Sequence, residues 1–352
     1  MNSYTITVEP LGREIECRED QTILDACLRN GVWLPHSCTH GTCATCKAEV
    51  LDGDVDHGGS STFALMDFER DEGMLLPCCA QPRSDVTIQA DIDVDEDLEM
   101  HPVQDYAATV LSLEEIAEDT RRLVIELDRE MAFNAGQYLK FQVPGTGADR
   151  TYSIANPPTE TRRLEFHIRR TPGGVATDGW IFRSLAVGDP VSVSGPYGRF
   201  VLHTGDDRAA VLVAGGTGLA PLKSMIRHAL ENDAYAGHLT LYQGARTQAW
   251  LYDVEEMQRL EKEYPDRFTY RPCLSEEIVD GFGSGLVTEV TEAENATLRG
   301  HAGDLCGPPR MVEAALKTLM GKRLFPRDIY REDFFDEGDR ATGGVRSPLI
   351  KR

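Results

Sequence analysis

A multidomain fold that joins α+β to α/β architecture is what this sequence predicts, on three observations. Its 352 residues are too many for one hydrophobic core. From Arg208 onward, strand, glycine loop and helix alternate: AVLVAGG, a helix near 220–231, HLTLYQG and a helix near 252–263, the pattern of a doubly wound parallel sheet. Ahead of it, residues 103–204 are strand-rich, with period-two alternation in LEFHI (164–168) and VSVSG (191–195). An acidic stretch ending at Pro102 separates these from a first domain of mixed elements. The expected division is therefore 1–92, a linker at 93–102, then 103–205 and 206–336, with a frayed tail at 337–352.

Within the first domain, residues 3–9 and 13–18 read as a hairpin around Gly12, the first strand alternating Tyr4, Ile6 and Val8. Thr22 to Asp25 has the form of a helix cap. Ile23, Leu24 and Leu28 follow at helical spacing, and Asn30-Gly31 is a stop signal. A cysteine-bearing loop comes directly after. In the last domain AVLVA ends at Ala214 and enters Gly215-Gly216-Thr217-Gly218-Leu219-Ala220-Pro221, with a helix expected to begin at the proline.

Charge excludes some functions. The net value of −22, from 36 basic and 58 acidic side chains, opposes binding to nucleic acid or to anionic membranes, which need lysine and arginine. The surplus is uneven: residues 1–100 carry 6 basic and 21 acidic side chains, a net of −15. That is either a solubilising surface or a docking face for a basic partner. No apolar run approaches bilayer length and the N-terminus lacks a basic-then-apolar signal, so a cytoplasmic location is expected.

Chemistry concentrates in four motifs. Cys38-x4-Cys43-x2-Cys46, with a distant Cys78 in MLLPCCAQP, has the plant-type [2Fe–2S] spacing, where one tight loop must bring three thiolates onto two adjacent irons. Zinc more often recruits two C-x2-C pairs, and only one is here. Cys78 and Cys79 compete for the fourth position; in an extended segment their side chains would point to opposite sides. Cys17, Cys27 and Cys273 read as small buried hydrophobes.

Arg150-Thr-Tyr152-Ser153 offers a guanidinium for a diphosphate, a ring for a flavin face and a hydroxyl for a ring nitrogen. Arg169-Arg170-Thr-Pro-Gly173-Gly174-Val-Ala-Thr177 adds backbone N–H groups and a hydroxyl for phosphate. Each piece alone also suits a solvated loop. Gly216, Thr217 and Gly218 at a helix start suit a dinucleotide phosphate, although proline replaces the last glycine of the usual fingerprint. Cys306, before Gly307-Pro308-Pro309, is either a nicotinamide neighbour or a buried structural thiol. After HLTLYQG there is no ribose-binding carboxylate, and Arg246 alone would suit a 2′-phosphate.

With these four motifs in this order, the sequence resembles the ferredoxin–NAD(P)H reductase superfamily with an N-terminal plant-type iron–sulfur domain. It is most similar to reductase components of soluble di-iron multicomponent monooxygenases of the phenol hydroxylase and propane monooxygenase type. FALMDFERDEG (63–73) and HPVQDY (101–106) point to that subgroup. The resemblance implies a β-grasp ferredoxin domain, an antiparallel β-barrel for FAD and a parallel-sheet domain for NADH, relatives with arginine near position 246 commonly preferring NADH over NADPH. It implies Cys38, Cys43, Cys46 and Cys78 as cluster ligands, Pro82 standing four residues after Cys78 as in similar domains. Arg150, Tyr152, Ser153 and Thr177 would hold FAD, and Gly216, Thr217 and Gly218 the nicotinamide cofactor. Cys306 would lie near the hydride path, with Glu332 and Phe334 beside the flavin. The implied function is electron transfer from NADH through FAD and the cluster to a terminal hydroxylase, which would dock on the acidic ferredoxin domain. An aromatic-ring dioxygenase reductase and a non-catalytic redox sensor are the alternatives.

Overall fold

The computed structural model describes residues 2–36, 39, 41, 44–92, 98–205 and 207–334. Cys38, Cys43, the middle of the acidic linker (93–97) and the 337–352 tail lie outside the described residues. The chain divides into two compact units at Asp105/Tyr106, the first also taking in Gly195–Gly198.

The first unit is a β-grasp. Its strands are β1 (Ser3–Glu9), β2 (Arg13–Arg18), β3 (Ala48–Asp52), β4 (Val55–Asp56), β5 (Met74–Leu75), β6 (Gln81–Pro82) and β7 (Val86–Gln89), with helices α1 (Ile23–Arg29) and α2 (Asp67–Asp71). The main sheet runs β2-β1-β7-β3-β5, with β1 antiparallel to β2 and parallel to β7. Thr22 caps α1 by accepting from the Asp25 N–H at 3.3 Å, which removes one of the donors a helix start leaves unpaired. Ile23, Leu24, Ala26, Cys27 and Leu28 are the buried face of α1.

The second unit contains two sheets. The first is antiparallel, from β8 (Gln104–Ala117), β9 (Thr120–Leu127), β10 (Tyr138–Gln142), β11 (Asp149–Ser153), β12 (Arg163–Arg169) and β13 (Pro190–Tyr197), in the order β11-β10-β13-β8-β9-β12. Its edges meet. Ile154, just past β11, bridges Phe166 of β12, and the Ala155 N–H donates to Glu165 O at 2.8 Å, so the sheet closes into a barrel and loses its exposed edges. Leu123, Ile125, Leu139, Phe141, Ile154 and Phe166 fill the inside.

The other sheet is wholly parallel: β14 (Ala210–Gly215), β15 (Leu239–Ala245), β16 (Phe268–Leu274), β17 (Gly283–Ser284), β18 (Ala302–Gly307) and β19 (Ile329–Asp333), in the order β17-β16-β15-β14-β18-β19. Helices α3 (Leu219–Glu231), α4 (Val254–Glu263), α5 (Val287–Glu294) and α6 (Pro309–Gly321) cover it, with apolar layers on both faces. The chain winds outward from β14 to β17, then crosses back to β18. The switch point thus lies between β14 and β18, where such sheets bind ligands. One expectation is corrected here. The helix begins at Leu219, not Pro221, because Gly216–Gly218 already form a 3-10 turn that runs into it; Pro221 still falls in the first turn, where no N–H is required.

Candidate active site

The cysteine loop has an unusual backbone. Thr39, Gly41 and Ala44 all have left-handed φ, of 54°, 77° and 57°, a conformation that costs a non-glycine residue free energy. Gly41 is also needed for space: a Cβ there would meet Cys79 Sγ at 2.6 Å and Ser60 Cα at 3.0 Å. Cys46 and Cys78 are buried, at 4% and 6% exposure. Two buried thiols beside a glycine with no room for a side chain fit an iron–sulfur cluster, whose thiolates must be shielded from solvent.

The parity argument for choosing between Cys78 and Cys79 does not hold in the structure. Both lie in a turn where the Cys79 and Ala80 N–H groups donate to Leu76 O at 2.9 Å, and their sulfurs are 3.8 Å apart. Turn geometry brings neighbouring side chains together where a strand would separate them. Burial separates the two instead, Cys78 being buried and Cys79 partly exposed.

The flavin motif sits on the barrel seam. Arg150, Tyr152 and Ser153 belong to β11, with Tyr152 opposite Leu139 and Ser153 opposite Tyr138 on β10. The Tyr152 ring stands edge-on to Phe141 at 5.4 Å, and burial pushes its phenol pKa well up, so it remains a neutral ring. Asn156 fixes the strand exit. Its side-chain oxygen accepts from the Glu165 N–H at 2.8 Å, and its amide donates to Pro157 O and Glu160 O at 3.2 Å each. Thr177 begins a π-helical turn, and its hydroxyl is committed to Thr171, donating to the carbonyl at 3.0 Å and accepting from the N–H at 3.1 Å. That shapes the 171–177 loop, in which Gly174 has no room for a Cβ.

At the switch point, Gly218 packs directly on β18, where a Cβ would lie 2.1 Å from Cys306 O. Gly216 has φ +54° and faces open space, Arg169 Nη1 being the near atom at 3.7 Å. An open, left-handed glycine ahead of a helix fits a bound phosphate. The Tyr252 hydroxyl donates to Gly216 O at 3.0 Å and so fixes the loop. Cys306 is fully buried; burial, and the nearby Glu332 and Asp333, push its thiol pKa far up, so it acts as a neutral side chain. Glu332 lies opposite it in the β18–β19 register, and the Phe334 N–H donates to Gly307 O at 3.0 Å. The structure thus brings Gly218, Cys306, Glu332 and Phe334 to one end of the sheet.

Four residues that sequence reasoning passed over also shape the site: Asn156, Tyr252, Trp250 and Lys223. Arg169 and Arg246 both lie over the Trp250 ring, at 4.8 and 4.3 Å. Asn156 has the plainest signal in the sequence, since it follows the flavin motif directly. No helix among the described residues is long and apolar enough to cross a membrane.

These three sites, on three sheets, define an iron–sulfur flavoprotein oxidoreductase that uses a nicotinamide cofactor. Family models agree: a 2Fe-2S iron-sulfur cluster binding domain matches residues 6–83, an oxidoreductase FAD-binding domain 107–202 and an oxidoreductase NAD-binding domain 212–317. The chain is 46% identical to the phenol hydroxylase P5 protein of Acinetobacter pittii, over 99% of both chains. It is 37% identical to a propane 2-monooxygenase reductase component of Mycolicibacterium goodii, over 95% of this chain and 97% of that one. A solved cytochrome P-450 reductase of Amycolatopsis is similar at TM-score 0.88 and 44% identity, covering 94% of this chain and 98% of that one. The chain belongs to the family of reductase components of multicomponent monooxygenases, with FAD, [2Fe–2S] and NADH as cofactors.

Proposed function

We propose that this chain delivers electrons taken from NADH to the terminal oxygenase of a multicomponent monooxygenase, its first unit docking on that partner. The observation that carries the reading is full-length agreement with phenol hydroxylase reductases, all three modules in the same order. A flavin held here would supply the chemistry that links a two-electron hydride donor to a one-electron cluster. The residues hold and orient. Arg150 would neutralise the FAD diphosphate, Tyr152 would cover a ring face and Ser153 would meet the N5 edge, while Thr177 shapes the 171–177 loop. Gly216, Thr217 and Gly218 would cradle NADH, with Cys306, Glu332 and Phe334 at the same end of the sheet. Cys38, Cys43, Cys46 and Cys78 would hold the cluster.

Docking is read from the surface next to the cysteine loop. The Ser61 N–H donates to Gly41 O at 3.0 Å, and directly beyond it Phe63 (92% exposed), Met66 and Phe68 stand in solvent. Glu69 holds α2 in place by accepting from Lys47 at 2.5 Å and from the Met66 N–H at 2.9 Å. A rigid apolar face edged by the exposed Asp67, Asp71 and Glu72 suits a partner whose apolar recess is rimmed with lysine and arginine.

A phenol-hydroxylating di-iron oxygenase is the partner this reading favours. The 44% identity to the solved cytochrome P-450 reductase of Amycolatopsis, over 94% of this chain, supports a second one, a cytochrome P-450 oxygenase. Anaerobic NADH is expected to bleach both flavin and cluster absorbance, and aerobic mixtures with each oxygenase class to give NADH-dependent hydroxylation with one of them. Bleaching without product from any oxygenase would overturn the partner assignment; steady turnover with a one-electron dye excludes a passive redox sensor.

A further inference from the structure

Lys223 is 1% exposed, yet its ammonium meets three carboxylates: Glu165 at 2.9 Å, Asp253 at 2.8 Å and Glu256 at 2.7 Å. Arg122 pairs with Asp253 and lies 3.3 Å from Glu165. His167 Nε2 is 2.8 Å from Glu165 and 3.5 Å from Asp253. Arg122, Glu165 and His167 come from the barrel strands β9 and β12. Lys223 and Glu256 come from α3 and α4 of the parallel sheet, with Asp253 just before α4. The ion pairs Lys223–Glu165 and Arg122–Asp253 therefore cross between the two sheets in opposite senses.

Glu165, His167 and Asp253 have ligating atoms within 4.8 Å of one another, as a metal site would. The cation in that place is the chain's own, since Lys223 already bonds both carboxylates. Stability alone does not account for the cluster either, because buried ion pairs commonly do no better than apolar packing of equal volume. What such pairs do supply is direction: each bond is satisfied at one relative placement of its partners.

The cluster is tied at each end to a cofactor motif. On the barrel side, Glu165 N–H bonds Asn156 Oδ1 at 2.8 Å, three residues past Ser153, and Ser224 of α3 donates to Asn156 O at 2.7 Å. On the other side, the Tyr252 ring stands edge-on to His167 at 4.9 Å while its hydroxyl holds Gly216 O at 3.0 Å. One chain of contacts runs from the flavin strand to the glycine loop.

We propose that this cluster, keyed by Lys223, sets the spacing between barrel and parallel sheet that hydride transfer from NADH to flavin requires. Lys223 is a positioning residue and touches neither cofactor. Removing its charge leaves Glu165 and Asp253 to share Arg122, with Glu256 reached only by Arg227 at 3.9 Å, and the repulsion separates the walls of the site.

The test uses the full-length protein carrying flavin and cluster, with flavin bleaching by NADH followed anaerobically in a stopped-flow instrument and normalised to bound flavin. In Lys223→Met the rate at saturating NADH should fall about tenfold or more, while the dissociation constant for NADH moves by less than about threefold. The isotope effect with NADH deuterated at the transferred position should rise. Lys223→Met/Glu165→Gln, which removes an anion with the cation, should recover much of the lost rate. Arg122→Gln, changed at the partly exposed rim, should slow transfer by a smaller factor and keeps the question decidable if Lys223→Met does not fold. Unchanged rates per flavin in Lys223→Met and Arg122→Gln, or a loss expressed wholly in NADH affinity, would overturn the proposal. Bleaching of the parent protein in the same experiment tests the reductase reading separately.

Discussion

Replacing Gly218 by alanine isolates space from conformation at the nucleotide loop. Gly218 has φ −60° and ψ −11°, which alanine adopts freely. On backbone grounds alone the change would stabilise the protein by about 0.4–1 kcal/mol through the unfolded state. The surroundings reverse that sign. The new Cβ would lie 2.1 Å from Cys306 O, 2.4 Å from Cys306 C and 2.7 Å from Gly307 N. These are backbone atoms of β18, held between β14 and β19, so no side chain can swing away. Loop and strand must part by roughly 1 Å, and overpacking of this kind costs about 1–3 kcal/mol. A melting temperature lower by about 2–12 °C is expected for a unit of this size. A shift of roughly 1 Å between reacting groups also costs on the order of 100-fold in rate. The assay is anaerobic flavin bleaching at saturating NADH, per bound flavin, beside a thermal melt. Gly216→Ala is the control of opposite character: it has open space but φ +54°, so its cost of about 1–2 kcal/mol is conformational. Parent-like melting and bleaching in Gly218→Ala would refute the steric argument.

Three further outcomes are expected. Cys78→Ser should lose the visible absorbance of the cluster while Cys79→Ser keeps it, and the reverse would exchange the two assignments. Phe63→Ser/Phe68→Ser should slow electron delivery to the oxygenase about tenfold or more, as loss of an apolar anchor at an interface does, with dye reduction by NADH unchanged; equal loss in both assays would place the defect upstream of docking. Glu165 is raised by burial but lowered further by the His167 hydrogen bond and the Lys223 ammonium, leaving its carboxyl well below the ordinary 4.5. A depressed value means stability that is present above that range and lost as pH falls below it, so melting temperature should decline more steeply below about pH 4.5 in the parent than in Glu165→Gln. Parallel curves would count against the pairing.

The parts legible in the sequence were those whose cause is local. The hairpin at 3–9 and 13–18, the Thr22 cap, the alternation in 164–168 and the glycine loop each answer to neighbours a few residues away, and each forms in the structure. Cys78 and Cys79 show the limit of that reasoning, since side-chain parity depends on a strand and the segment is a turn. The ion cluster lies further out of reach. Its six members are spread from residue 122 to residue 256, and each alone reads as an ordinary surface charge. Only Lys223 carried a hint, because it interrupts LAPLKSMI, a run buried from end to end. A lone lysine in such a run needs a counter-charge, but nothing local says from where.

The flavin motif and the glycine loop both lie where a sheet breaks its regular pairing, one at the barrel seam and the other at the switch point. Neither location fixes the distance between them. If the ion cluster does, then Gly218→Ala and Lys223→Met disturb one spacing from two ends, and their effects on flavin bleaching should not add. Independent sites more than about 7–10 Å apart combine within about 0.3–0.5 kcal/mol. Walls already displaced by one substitution have less to lose from the other, so the double variant should bleach faster than the product of the single losses, by well over that margin. Strict additivity would mean that loop and cluster act on different steps, and the cluster's link to hydride transfer would have to be given up.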